Sequence, residues 1–207
     1  MRRWGFWANN FIFSFVLKCC VKNTDLKLGV NVHSLIVKEG FEYDACVNTG
    51  LVEFYSKLEC LDDARKVFDE MPERNVVSLV GVMSGYVGTG RFKKAVDLFR
   101  ESLEEGLKPD SYTLVRALSA CSELGDLVAG EWIHKYILDV DMGRNVFVNT
   151  ALVDMYAKCG HMENARVIFN GMHERDVVTW GTMVQGYAAR GFSKEALEIF
   201  HIMRREN

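Results

Sequence analysis

With 207 residues, 49% of them hydrophobic and 26% charged, the chain has the composition of an ordinary soluble, packed protein, long enough for one domain or a short solenoid. Its formal net charge of −3 argues against a strongly basic nucleic-acid binder held mainly by phosphate contacts, and leaves room for local basic patches and base-reading side chains. Only two prolines occur, Pro72 and Pro109, so long helices are permitted.

The first acidic residue is Asp25, preceded by Arg2, Arg3, Lys18 and Lys22. That pattern superficially resembles an organelle transit peptide, but internal repetition gives the segment a structural role instead. The apolar stretch Phe11–Leu17, flanked by Asn10 and Lys18, is too short to span a membrane. Six cysteines, Cys19, Cys20, Cys46, Cys60, Cys121 and Cys159, form no C-x-x-C pair and have no histidine cluster nearby. They are expected to be reduced, half-buried helix residues, not a zinc site or a disulfide framework.

Sliding the sequence against itself by 101 residues aligns nearly the whole first half on the second without a gap. Val47-Asn48-Thr49 falls on Val148-Asn149-Thr150, Ala64-Arg65 on Ala165-Arg166, Glu73-Arg74 on Glu174-Arg175 and Gly85-Tyr86 on Gly186-Tyr187. A match of this extent signals duplication of a modular unit. Each unit divides again into three, giving the expected subunits 10–44, 45–75, 76–110, 111–145, 146–176 and 177–207, the last cut short, after a tail of a preceding repeat at 1–9.

Apolar spacing inside the subunits is helical. In 76–110, Met83, Tyr86 and Val87 form one stripe, Gly90 breaks it, and Ala95, Leu98, Phe99 and Leu103 form a second. In 111–145, Asp126 after Gly125 is a plausible N-cap for a second helix. Gly130 falls inside that helix, either as a point of close helix approach or as a tolerated weak spot. In 146–176, Val148, Leu152, Met155 and Tyr156 make the first stripe. Gly160 ends that helix, and Met162, Ala165, Arg166, Phe169 and Met172 make the second stripe. A two-helix unit cannot bury its apolar face alone, whereas stacked units can. The expected fold is therefore all-α, a right-handed α-solenoid of stacked helix-turn-helix repeats. Trp4, Phe6 and Trp7 would be exposed on a lone array, an expectation that the chain is part of something longer or is marginally soluble.

Ala151-Leu152-Val153-Asp154-Met155-Tyr156-Ala157-Lys158-Cys159-Gly160, followed by Ala165-Arg166-Val167-Ile168-Phe169, closely resembles the pentatricopeptide repeat family of plants. So does Lys66-Val67-Phe68-Asp69-Glu70-Met71-Pro72-Glu73-Arg74-Asn75-Val76-Val77-Ser78. The alternating lengths resemble the subclass with standard, long and short repeats. The long ones carry Leu118-Ser119-Ala120-Cys121 with Gly130-x-x-x-His134, echoed by Leu17-Lys18-Cys19-Cys20 with Gly29-x-x-x-His33. The resemblance covers essentially the whole chain, and in that register the chain begins and ends in mid-array, with Gly5 falling on Gly106.

The resemblance implies sequence-specific binding of single-stranded RNA, one base per repeat, N-to-C along 5′-to-3′, in mitochondria or chloroplasts. The chain is further expected to be a monomer with no cofactor and no membrane association, and to have RNA-editing or processing factors as partners. The fifth and last residues of each repeat carry the family's base code. Thr49 with Asn75 then reads adenine, and Thr150 with Asp176 reads guanine; Cys46 and Phe147 are the implied base-packing residues. The other repeats are harder to read. They offer Ser14 with Asp44, Val80 with Asp110, Val115 with Asn145, and Gly181 without a partner; a valine cannot hydrogen-bond a base edge. Thr and Asp at helix ends are also common capping residues, and His33 and His134, recurring in phase, favour packing or capping over catalysis.

Members of this subclass often carry a deaminase-like domain with a zinc held by His and Cys and a Glu proton shuttle. No H-x-E followed by P-C-x-x-C is present; Glu174 follows His173 directly. No Ser-His-Asp set or phosphate-binding G-x-x-x-x-G-K occurs either, so the chain is expected not to be an enzyme. A peptide-binding solenoid, or a fragment without a role of its own, stand as alternatives.

Overall fold

A computed structural model describes residues 8–206. Trp4, Gly5, Phe6 and Trp7, with most of the tail assigned to 1–9, lie outside the described residues. Twelve helices follow one another among those described: α1 (Asn10–Lys22), α2 (Leu26–Lys38), α3 (Ala45–Lys57), α4 (Leu61–Glu70), α5 (Val76–Gly88), α6 (Phe92–Glu104), α7 (Ser111–Leu124), α8 (Leu127–Asp139), α9 (Val146–Lys158), α10 (Met162–Gly171), α11 (Val177–Ala189) and α12 (Ser193–Glu206). The all-α repeat fold expected from the sequence is the fold observed. Odd-numbered helices have 13 or 14 residues. The second helices α4 and α10 have only ten, so the shorter spacing there removes almost one turn from the second helix.

The chain forms two compact units, one of residues 8–91 with 101–108, the other of 92–100 with 109–206. In the first unit α3 packs on α1, α4 and α5, and α2 packs on α1. Its core holds Leu17, Ile36, Leu51, Phe54, Phe68 and Met83, all essentially without solvent contact. In the second, α9 packs on α7, α8, α10 and α11, and α12 packs on α11. Phe99, Leu118, Ile133, Leu152, Met155 and Ile199 are its counterpart core. Burying one such side chain contributes roughly 1.5–3 kcal/mol, and a first helix gains most because it is sandwiched between neighbours. That sandwich buries every member of the predicted stripe Val148, Leu152, Met155 and Tyr156.

Local signals set the boundaries. Asp126 accepts a hydrogen bond from the Ala129 backbone N–H and caps α8, directly after Gly125 closes α7 in the left-handed conformation at φ 66°. Gly130 is a place of close approach: a Cβ there would lie 2.4 Å from Met155 Sδ. Its counterpart Gly29 is tighter still, since a Cβ would lie 2.0 Å from the Phe54 ring. The turn after α9 uses Gly160 at φ 97°, while the matching turn after α3 holds Glu59 in the same left-handed region at φ 61°.

The recurrent side chains have recurrent tasks. Asn48 donates to the Glu42 carbonyl (2.9 Å) and Asn149 to the Gly143 carbonyl (2.8 Å), each tying a first helix to the loop before it. Arg74 donates to the Phe68 and Asp69 carbonyls, lies 5.3 Å from the Phe68 ring centroid and pairs with Glu105. Arg175 repeats this on the Phe169 and Asn170 carbonyls, the Phe169 ring and Glu206. Each arginine thus satisfies carbonyls left free at a helix end.

The cysteines depart from the uniform half-buried expectation. Cys20 and Cys121 are buried, Cys19 and Cys46 exposed, Cys60 and Cys159 intermediate, and all six are free thiols. The last two stand at helix boundaries, Cys60 before α4 and Cys159 after α9. Burial pushes the Cys121 thiol up to about 12.

Candidate nucleic-acid interface

The residue before each first helix is Asn or Asp throughout: Asn9, Asp44, Asn75, Asp110, Asn145 and Asp176. Each side chain accepts a backbone N–H from the first turn of the helix that follows, satisfying a donor the helix cannot pair internally. The last-position residues are therefore caps in the first place. What distinguishes them is what the rest of the side chain does.

At Asn75, Oδ1 accepts the Ser78 backbone N–H (2.9 Å), which fixes the amide's orientation. Nδ2 therefore donates, and its partner is the Thr49 hydroxyl at 3.0 Å. Thr49 gives its own proton to the Ala45 carbonyl (2.8 Å). A hydroxyl has one proton and two lone pairs, so Thr49 keeps one accepting site and Asn75 keeps one N–H. Both residues are half-buried. The pair presents an acceptor beside a donor.

At Asp176, Oδ1 accepts both the Thr179 backbone N–H and the Thr179 hydroxyl, each at 2.8 Å. These bonds hold its carboxyl below the usual carboxylate range, the backbone N–H contributing most. Asp176 is thus an acceptor only, with Oδ2 outside this cap. Thr150 does not bond Asp176. Its hydroxyl lies 2.7 Å from the Thr179 hydroxyl and 2.8 Å from the Val146 carbonyl. Because Thr179 gives its proton to Asp176, Thr150 has only acceptors around it, and its one proton goes inward. This pair presents two acceptors.

The other predicted pairs are not equivalent. The Ser14 hydroxyl bonds the Asn10 carbonyl (3.0 Å) and lies 3.5 Å from Cys46 Sγ. Asp44 is taken up on both oxygens, by Asn10 Nδ2 and by the Cys46 and Val47 backbone N–H groups. Asp110 is an exposed cap, held by the Thr113 N–H and hydroxyl, and Val80 offers no polar atom. The proposed packing residues are open to solvent: Phe147 is 70% exposed and Cys46 is exposed. The same second place of each first helix holds Phe11, Val77, Tyr112 and Val178, all more than half exposed. Sequence reasoning named only Cys46 and Phe147 there; the helix register carried the signal for the others. His33 and His134 pack against tyrosines, Nδ1 lying 2.9 Å from the Tyr55 and Tyr156 hydroxyls respectively. No cluster of metal-ligating side chains occurs among the described residues.

Paired helices with an Asn or Asp cap before every first helix define a helical-repeat protein. The family model for the PPR repeat matches residues 49–76, 77–107, 150–177 and 178–207. A pentatricopeptide repeat-containing protein of Arabidopsis thaliana is 49% identical over all 207 residues, which span 30% of its length. Another from the same plant, named as chloroplastic/mitochondrial, is 44% identical over 200 residues, 94% of this chain and 31% of that protein. The chain belongs to the pentatricopeptide repeat family, and spans under a third of the length of these two relatives. Among solved structures, the maize pentatricopeptide repeat protein PPR10 superposes with a TM-score of 0.76 at 23% identity, over the whole of this chain and 30% of PPR10. PPR10 in complex with an 18-nt psaJ RNA element gives a TM-score of 0.68 at 22% identity, over 31% of its length.

Proposed function

We propose that this chain binds single-stranded RNA base by base, with 10–44, 45–75, 76–110, 111–145, 146–176 and 177–207 as reading units in long, short, standard order. The observation that carries the reading is the contact between Asn75 Nδ2 and the Thr49 hydroxyl, which leaves an acceptor and a donor side by side. Adenine's Watson–Crick edge offers the complement, an amino donor beside the N1 acceptor. Cytosine offers the same order on a smaller ring and is the expected runner-up. Thr150 and Asp176 offer two acceptors, which suit the N1–H and amino donors of guanine. Exposed Phe147 and Tyr112 supply flat surfaces on which bases stack without regard to sequence.

Ser14 keeps an accepting site as Thr49 does, but both Asp44 oxygens already accept hydrogen bonds, and Val80 with Asp110 lacks a reader at the fifth position, so these repeats add less discrimination. The role is non-catalytic, within organelle RNA editing or processing, and any chemistry comes from partner factors. Relatives named as chloroplastic or mitochondrial support that setting.

The test is a gel-shift series on short single-stranded RNAs. Repeats 45–75 and 146–176 should prefer A-x-x-G, and swapping either purine should weaken binding by about 1–3 kcal/mol, the discrimination typical of a good two-bond base contact. Equal binding to all sequences, or none, overturns the readout.

A further inference from the structure

The second reader differs from the first in having a third member, and that member lies outside the repeat being read. We propose that Thr179, the third residue of α11, is a positioning residue for the Thr150–Asp176 pair, holding its two outward-facing acceptors in fixed register and thereby sharpening selection of guanine; the inference rests on the reading just given.

Thr179 is fully buried, so its hydroxyl cannot itself meet a base. It holds Asp176 Oδ1 twice, through N–H and O–H, which fixes the plane of the carboxylate and leaves Oδ2 to face away from the cap. Its hydroxyl also lies 2.7 Å from that of Thr150. The proton order is forced, since a carboxylate only accepts: Thr179 donates to Asp176, and Thr150 is left as donor towards Thr179 or the Val146 carbonyl. One buried hydroxyl therefore couples the fifth and last positions, whose side chains make no direct bond. In the first unit the equivalent residue, Ser78, donates to the Asn75 backbone carbonyl instead, and Asn75 reaches Thr49 unaided.

Thr113 provides an internal control. It makes the same two bonds to Asp110, at 2.8 and 2.6 Å, with no threonine hydroxyl beyond it. Thr113→Val should therefore report the purely structural cost of removing such a hydroxyl. The experiment measures guanine-over-adenine preference at the fourth base of A-x-x-G, together with melting temperature, in the full chain. Thr179→Val should reduce that preference about tenfold, Thr179→Ser should restore it, and Thr113→Val should leave it intact at a comparable loss of melting temperature. A second readout needs no RNA: NMR titration of the Asp176 carboxyl should move upward in Thr179→Val and return in Thr179→Ser.

Unchanged guanine preference in Thr179→Val, in a protein where Asp176→Asn abolishes it, overturns the positioning role and leaves the RNA reading standing. Loss that Thr179→Ser does not restore overturns it too, by assigning the effect to packing. A wild-type chain with no base preference there removes the reading and the inference together, although the titration still reports the coupling. If Thr179→Val does not fold, Thr179→Ala against Thr179→Ser makes the same comparison.

Discussion

The Thr49–Asn75 and Thr150–Asp176 pairs occupy matching places in the two compact units, and the last residue differs between them by one functional group. An amide can donate, so Asn75 bonds Thr49 directly. A carboxylate cannot, so Asp176 relies on the Thr179 hydroxyl to reach Thr150. The lesson is that a two-residue code is a statement about protons. Replacing NH2 by O⁻ changes the outward pattern from an acceptor beside a donor to two acceptors, and also changes which buried neighbour completes the circuit.

The two units also differ in the side chain packed against a matching glycine, and the largest expected effect probes that. Adding a methyl at Gly29 drives it into the Phe54 ring, while at Gly130 it meets the flexible end of Met155. Gly29→Ala should cost about 3 kcal/mol and Gly130→Ala about 1 kcal/mol, the span usual for overpacked cores, measured by denaturant unfolding. Equal costs would show that Phe54 moves aside as readily as Met155.

A smaller effect of opposite sign is expected at the turns. Glu59 holds a left-handed conformation that Gly160 adopts without strain. Glu59→Gly should stabilise the first unit by up to about 1 kcal/mol, seen as a higher melting temperature; no gain would mean that the glycine's unfolded-state freedom offsets the relief.

The smallest effect is shared by both units. Burial lowers the His33 and His134 pKa values from 6.5. Just below that value the unfolded chain takes up protons that the folded chain refuses, so stability is full above pH 6.5 and declines as pH falls through the depressed folded values. Melting temperature followed against pH should show this slope, and replacing both histidines by glutamine should flatten it.

Much of this was legible in sequence because its causes are local. Asp126 beside Gly125 announces a helix boundary by capping chemistry alone, and Val148, Leu152, Met155 and Tyr156 announce a buried face by spacing alone. Gly130 raised the right question, but only the position of Met155 answered it. The Arg74 and Arg175 clamps and the Asn48 and Asn149 tethers were visible as recurrent letters without visible purpose, and the Thr179 relay, which stands where the first half has Ser78, was not visible at all. Their partners are set by rotamers and packing, and often lie on another helix. The open second places at Phe11, Val77, Tyr112 and Val178 follow from register once α1, α5, α7 and α11 are located.

The central claim is that the chemistry of the last residue, amide or carboxylate, decides which purine each of the two readers takes. Its most direct test is the exchange variant, Asn75→Asp with Asp176→Asn, assayed by gel shift against A-x-x-G and G-x-x-A RNAs. The account predicts that preference inverts to G-x-x-A. Retained preference for A-x-x-G, or equal affinity for both RNAs in a folded variant, would contradict it.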